Sequence, residues 1–356
     1  MKKIFNVAVL ALVCGAMAVS CCCGSKGLLS KGDKSKLDTI SYALGSNLGF
    51  FMSNRISEIN FDYEKLAKGI EEAAFNKGKW SAEEAQEVFQ TLVHPVNERF
   101  GRLIRQKQDT TVVAEPIEVF VRAGERDSLS YAYGLTIGQD LQNTRFPIQI
   151  YWYLKGFEQT RVGEGILTEE QANEYIQNFF MVVYPQQELE ASEAWLAKME
   201  QKSGVQKSES GLLYKVVKEG DVSRSATDDR DEVTVHYTGR DRHGKVFDSS
   251  IFKNMPADRQ EMLRQYQPDR FDEKGNIIAD EPVTFPLDRV IAGWTEGMKL
   301  VGPGGKIILY IPANLAYGPR GNQAIAPNAA LEFEVELVDV KPYTEPTEPA
   351  EITPAN

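Results

Sequence analysis

The stretch Val233–Ser250, VTVHYTGRDRHGKVFDSS, decides how the C-terminal part of the chain reads. Val233, Val235 and Tyr237 alternate with Thr234 and His236, the period of two that marks a strand with one face turned inward. Gly239 and Gly244 supply turn positions and Val246-Phe247 starts a returning strand, so the segment reads as a hairpin. Its inward face is unusual. Tyr237 and the Phe247-Asp248 pair bring a hydroxyl and a carboxylate onto an otherwise apolar surface.

Upstream, Leu212–Val217 is strand-like and Val222–Asp231 a polar turn. Downstream, residues 251–281 are rich in Asp, Arg, Gln and Lys and read as a mobile surface insertion. Val283-Thr284-Phe285 resumes the pattern, and Trp294, Met298 and Val301 recur at helical spacing in a short helix over Val290–Met298. Lys306–Pro312 is a strand, and Gly318–Asn328 a Gly/Pro-rich loop. The last strand turns Leu331, Phe333, Val335 and Leu337 inward and Glu332, Glu334 and Glu336 outward, as in an antiparallel sheet with one wet face.

The N-terminal half has a different period and an internal repeat. Ser41-Tyr42-Ala43-Leu44-Gly45 and Gly49 return as Ser130-Tyr131-Ala132-Tyr133-Gly134 and Gly138, an offset of 89 positions. Lys68-Gly69 returns as Lys155-Gly156 and Ser81 as Thr168, now at an offset of 87. Ser81 and Thr168 each precede an acidic first turn, which marks a helix start. Each copy reads as two short helices and a long one, with the Tyr and Gly positions serving helix packing. Pro185 is expected to break or kink the second long helix before a charged amphipathic stretch carrying Leu189, Trp195, Leu196 and Met199.

At 356 residues the chain divides into several parts. Residues 1–20 read as a signal peptide, with Met1-Lys2-Lys3 before an apolar run of about 16 residues, too short to span a bilayer. Residues 21–37 form a tether, 38–109 helical repeat 1, 110–126 a linker, 127–184 helical repeat 2 and 185–203 a connecting helix. A β-rich domain occupies 204–341 with its insertion at 251–281, and 342–356 is an acidic, Pro/Thr-rich tail expected to be disordered. The expected fold is thus α+β and multidomain.

Small residues before Cys21 resemble a bacterial lipobox, which makes Cys21, or else Cys22, the lipidated N-terminus of an envelope protein facing periplasm or cell surface. All four cysteines lie at or before Cys23, so the folded domains have neither disulfides nor a cysteine nucleophile. The net charge of −11 argues against nucleic acid. Only His94, His236 and His243 are present, in no metal-ligand or triad spacing, and Gly302-Pro303-Gly304-Gly305-Lys306 lacks the phosphate-loop pattern. No cofactor and no metal is expected. What remains is a set of aromatic and branched aliphatic residues.

The segments VTVHYTG with GKVFDSS, VIAGWTEGM, IPANLAYG and ALEFEVEL occur in the order and spacing of the FKBP-type peptidyl-prolyl isomerase domain, which 233–341 resembles. The resemblance implies an antiparallel sheet wrapped around one short helix, with a substrate pocket between them. Carried over by position, it makes Trp294 the pocket floor, and Tyr237, Phe247, Phe285, Val290 and Phe333 its walls. It makes Asp248 a polar wall residue, Tyr317 a hydroxyl donor, Ile325 part of the overhanging loop, and Ile291 a backbone N–H donor. Val283 stands where the family usually has a Phe. Proline-containing or unfolded polypeptides are the implied substrates, and macrolide-type compounds the implied inhibitors.

The helical half resembles the N-terminal domain of macrophage-infectivity-potentiator-like FKBPs. There such helices form a dimer, so two copies in one chain imply either a homodimer or an intrachain pseudo-dimer. The implied activity is prolyl isomerisation in the cell envelope. The alternative is a chaperone or scaffold that uses the fold only for binding.

Overall fold

The computed structural model describes residues 28–108 and 117–345, so the leader, Cys21 and the last eleven residues lie outside it. The chain forms two compact units, one ending at Tyr184 and the other beginning at Pro185.

The first unit runs β1 (Leu29–Ser30), α1 (Thr39–Asn54), α2 (Tyr63–Ala74), α3 (Ala82–Gln108), α4 (Glu125–Gln142), β2 (Ile148–Gln149), α5 (Ile150–Arg161) and α6 (Glu169–Asn178). Its helices start where side chains replace missing intrahelical acceptors. Asp38 and Asp62 accept from the N–H groups of Ser41 and Lys65, and Thr168 with Gln171 forms a reciprocal capping box.

Each copy's first helix packs on the other copy's second: α1 lies on α5, and α2 on α4. The repeated glycines are the crossing points. A Cβ on Gly45 would overlap the Tyr153 carbonyl, and one on Gly156 the Tyr42 carbonyl. In the mirrored crossing, Gly134 meets the Leu66 carbonyl and Gly138 that of Ile70. The backbones are too close for any side chain. The two copies therefore interlock within one chain.

Two expectations are corrected in this unit and at its end. The tether is not free throughout: Leu29–Ser30 pairs in parallel with Ile148–Gln149, and the Trp152 indole donates to Asp33 O. Pro185 neither ends the helix nor stands outside one. A π-helical turn, Phe179–Val183, lets the Tyr184 N–H reach Phe179 O, and α7 (Tyr184–Glu200) continues past the proline. The wider turn takes up the mismatch that a ring without an N–H introduces.

The second unit continues from α7 through β3 (Gln206–Lys207), β4 (Leu213–Lys218), β5 (Glu232–Asp241), β6 (Val246–Ser249), α8 (Ala257–Tyr266), β7 (Val283–Pro286), α9 (Ala292–Met298), β8 (Gly305–Ile311) and β9 (Leu331–Lys341). The sheet is antiparallel in the order β3-β4-β8-β9-β5. The far edge of β5 is shared: β7 takes Glu232–Val235 and β6 takes Thr238–Arg240. Helix α9 packs Trp294 and Met298 against one face, with Val235, Leu309, Phe333 and Val335. Met199 of α7 packs with Leu213 and Tyr310, which alternate with that core, and so covers the opposite face.

Here too the sequence reading needs amendment. Gly239 is not a turn residue but lies within β5, where a Cβ would strike the rings of Phe247 and Phe333. The insertion, read only as a surface segment, holds α8 and its own small core, in which Phe252 meets Phe271 edge-on and Arg264 lies over both rings. At the start of the tail, Tyr343 is held by the Asp231 carboxylate and by Arg230 over its ring.

Gly45→Ala and Gly134→Ala are each expected to destabilise the first unit by about 2 to 3 kcal/mol, because a methyl group must push two helices apart. Urea unfolding followed by circular dichroism measures this. A cost below about 0.5 kcal/mol would show that the crossings have slack.

Candidate functional site

The indole of Trp294 is buried to 4% exposure on the inner face of α9. Three aromatic rings meet it nearly perpendicularly: Phe333 of β9 at 5.2 Å, Tyr237 of β5 at 5.3 Å and Phe285 of β7 at 5.8 Å between centroids. Phe247 of β6 extends the group by an edge contact to Phe333 at 5.5 Å. Perpendicular rings set the positive edge of one against the negative face of another, which fixes orientation as well as contact. The Trp294 indole N–H has no hydrogen-bond partner among the described residues. Ring packing, not hydrogen bonding, holds this indole.

Alternation explains how the polar handles reach the same place. Tyr237 and Gly239 lie on one face of β5, and Gly239 pairs with Asp248 of β6. The Tyr237 hydroxyl donates to Asp248 Oδ2 at 2.7 Å, while Oδ1 accepts from the Ser249 N–H at 3.0 Å. Ser250 takes the place of a strand partner at the gap between β6 and β7: its N–H donates to Tyr237 O, and its hydroxyl accepts from Tyr237 N. Burial, then the Asp248 carboxylate and the hydrogen bond to it, push the Tyr237 hydroxyl well above the usual tyrosine range. Burial and Asp248 also raise Tyr317, which is 39% exposed. Both remain neutral donors at physiological pH.

Val290 and Ile291 pack half-buried against the same core, and Ile325 is buried in it. Ile291 is the residue before α9: its carbonyl accepts from the Trp294 N–H, and the described residues offer no acceptor to its own N–H. Of the residues expected at the site, Val283 does not join this core. It is half-buried at the start of β7, paired with Val235 across the sheet.

Two features were not read from the sequence. The inserted α8 brings Arg259 to 4.0 Å from Asp248 Oδ1, so the insertion lends the site a cation. Only the surplus of arginines in 251–281 hinted at this. The loop between β8 and β9 is held by α7: Asn328, at φ 55°, donates to Pro185 O at 3.0 Å, and the Ala330 N–H donates to the buried Ser192 hydroxyl at 3.0 Å. Asn328 N–H also closes on Gly318 O, next to Tyr317. Beside these, the buried Glu188 and the half-buried Arg242 form a two-point ion pair at 2.6 and 3.0 Å. No sequence pattern announces such long-range polar contacts.

Residues 223–338 match the family described as FKBP-type peptidyl-prolyl cis-trans isomerase. Residues 37–115 and again 126–216 match the domain found amino-terminal to that isomerase. A probable FKBP-type peptidyl-prolyl cis-trans isomerase FkpA of Neisseria meningitidis serogroup B is 35% identical over 226 residues, 59% of this chain and 73% of that protein. FkpA of Aeromonas hydrophila is 31% identical over 252 residues, covering 66% and 83%. The outer membrane protein MIP of Legionella longbeachae is 31% identical over 229 residues, covering 61% and 86%.

The raised Tyr237 predicts the behaviour of this unit in alkali. Tyrosine in an unfolded chain ionises near pH 10, whereas Tyr237 in the folded chain resists ionisation. Its contribution is fully present below about pH 10 and lost as pH rises further. Tyr237→Phe is expected to show a shallower alkaline decline and to cost about 1 kcal/mol at neutral pH, read from urea midpoints. Identical alkaline profiles would mean that neither burial nor Asp248 keeps the hydroxyl protonated in the folded chain.

Proposed function

The chain belongs to the FKBP-type peptidyl-prolyl cis-trans isomerases, and from that premise we propose that it accelerates the folding of cell-envelope proteins, with a helical unit that gathers unfolded clients. The observation that carries the catalytic part is an aromatic floor ringed by a few fixed donors. Rotation about an Xaa-Pro bond breaks amide resonance, at a barrier of about 18 to 20 kcal/mol. The planar amide is charge-separated and well solvated; the twisted one is less so. An apolar, water-poor pocket therefore raises the ground state relative to the transition state.

In this reading Trp294 is the floor for the proline ring, with Tyr237, Phe247, Phe285, Val290 and Phe333 around it and Ile325 overhanging. The Ile291 N–H and the Tyr317 hydroxyl donate to substrate carbonyls, and Asp248 with Tyr237 forms a polar wall. Val283 leaves one side of the pocket looser than in relatives with an aromatic there. No proton moves and no covalent bond forms, so neutral tyrosines suit the task. The same apolar floor would admit macrolide-type inhibitors.

The protein is anchored to the envelope by lipid on Cys21 after removal of residues 1–20, with the residues between Cys21 and β1 as a tether. Because the two copies interlock, one chain supplies what a dimer supplies in relatives with a single copy. Sedimentation of the soluble chain is then expected to give the mass of one chain. A stable dimer at micromolar concentration would overturn that part.

A proline-limited refolding assay tests the function. Wild type is expected to accelerate the slow phase, and Trp294→Ala to lower kcat/KM about tenfold or more, about 1.4 kcal/mol of transition-state stabilisation. Removing Asp38–Tyr184 should leave the rate on a short Xaa-Pro peptide nearly unchanged and weaken catalysis on an unfolded protein. Equal loss on both would mean that the helices support the pocket itself. A wild type that suppresses aggregation without accelerating isomerisation would overturn the catalytic reading.

A further inference from the structure

The interlocked copies are alike in backbone and unlike in charge. Their hydrogen bonds fix the correspondence. Tyr131 donates its hydroxyl to Glu72 Oε2 at 2.5 Å and accepts from the Lys79 N–H at 2.8 Å. Tyr42 donates to Gln159 Oε1 at 3.1 Å and accepts from the Ile166 N–H at 3.1 Å. Residues 72 and 79 thus correspond to 159 and 166, the same offset of 87 that relates Gly69 to Gly156. In that register Lys65, Lys77 and Lys79 stand where the second copy has Trp152, Glu164 and Ile166.

Around Tyr131 these three lysines and Lys68 line an open cavity of about 410 Å³, with Trp80 on its wall. Its acidic groups are Glu72 and Asp127. Glu72 is occupied by the Tyr131 hydroxyl and by Lys68 at 3.6 Å, and the Lys79 ammonium stands 5.5 Å from the centre of the Trp80 ring. Lys65 and Lys77 have no carboxylate within ion-pair distance among the described residues. Four ammonium groups against two carboxylates leave local positive charge in a chain of net charge −11. Like charges gathered round one cavity repel, and an anionic guest relieves the repulsion. At the corresponding place in the second copy Ile166 is 60% exposed, and the positions of two of the lysines hold Trp152 and Glu164.

We propose that this cavity binds the carboxylate side chains of an acidic polypeptide segment, so that the first copy holds acidic stretches of a client. The proposal rests on the reading of the helical unit as client-gathering. A cavity of this volume admits one or two side chains, and its open mouth lets an extended chain continue past it. The cations are lysines without an arginine fork, so they suit separate carboxylates better than one planar bidentate anion. Trp80 adds an apolar and cation-stacking wall against which the stem of a Glu can lie.

Fluorescence anisotropy of the full chain with a labelled Glu-rich peptide, and with a Lys-rich control, tests this. One equivalent of the Glu-rich peptide is expected to bind, more weakly as salt rises from about 50 to about 200 mM. Lys77→Glu combined with Lys79→Glu should weaken binding about tenfold or more while the rate on a short Xaa-Pro peptide stays unchanged. Glu164→Lys combined with Ile166→Lys should build a second site and raise the stoichiometry towards two. Undiminished binding by the Lys77/Lys79 variant would overturn the proposal. So would capture by phosphatidylglycerol vesicles that needs the same lysines while the peptide stays free. A wild type inactive on the short peptide would count against the isomerase reading and leave the binding result as a separate finding.

Discussion

The second unit depends on how one indole is held. The Trp294 indole makes no hydrogen bond among the described residues, so its orientation is set by the three rings that meet it edge to face, each from a different strand. Those strands must lie in register to within a fraction of a side chain. The division of the β5 edge between β6 and β7 achieves this, because it lets Tyr237, Phe247 and Phe285 approach one point from adjacent strands. Gly239 completes the arrangement: any side chain there would displace both Phe247 and Phe333. The Tyr237–Asp248 hydrogen bond then ties the polar wall to the aromatic floor, so a single register fixes both.

How much of this could be read beforehand follows from range. The alternation of Leu331, Phe333, Val335 and Leu337 is local and directly gave the inner face of β9. The spacing of Trp294 and Met298 gave α9 equally well. The joint presence of Tyr237, Asp248, Trp294 and Phe333 in one site was legible through the resemblance, since spacing alone does not say which strands adjoin. Gly239 was misread because glycine signals turns and close approaches alike, and only the neighbouring rings distinguish them. That the helix runs on through Pro185 was not legible, because a π-helical turn, which rescues a helix from proline, has no sequence signature of its own. The grip of α7 on the Tyr317 loop through Ser192 and Asn328 spans more than a hundred positions, beyond any local pattern.

The insertion shows how charge can be added to a site without rebuilding it. It leaves after Ser249, the end of β6, and returns at Val283, the start of β7, on the same edge of β5. Its ends are drawn together by the Phe252 N–H donating to Asp280 at 2.6 Å, and its small core is closed by Arg264 over two rings. A segment closed on itself adds little constraint to the sheet that carries it. Arg259 can therefore approach Asp248 while the register around Trp294 stays as it is.

Duplication acts on the first unit through the same separation of backbone from surface. In a homodimer the two ends of the helical pair are identical by symmetry, so a charge added at one appears at the other. In a single chain the glycine crossings preserve the interlock: Gly45 and Gly134 occupy corresponding points, each against a carbonyl of the other copy. The surface residues beyond the crossings are then released from symmetry. Lys79 and Ile166 donate the same backbone N–H to corresponding tyrosines while presenting an ammonium in one copy and an apolar side chain in the other. The backbone contact fixes the pair, and the side chain, which the contact does not use, is left to differ.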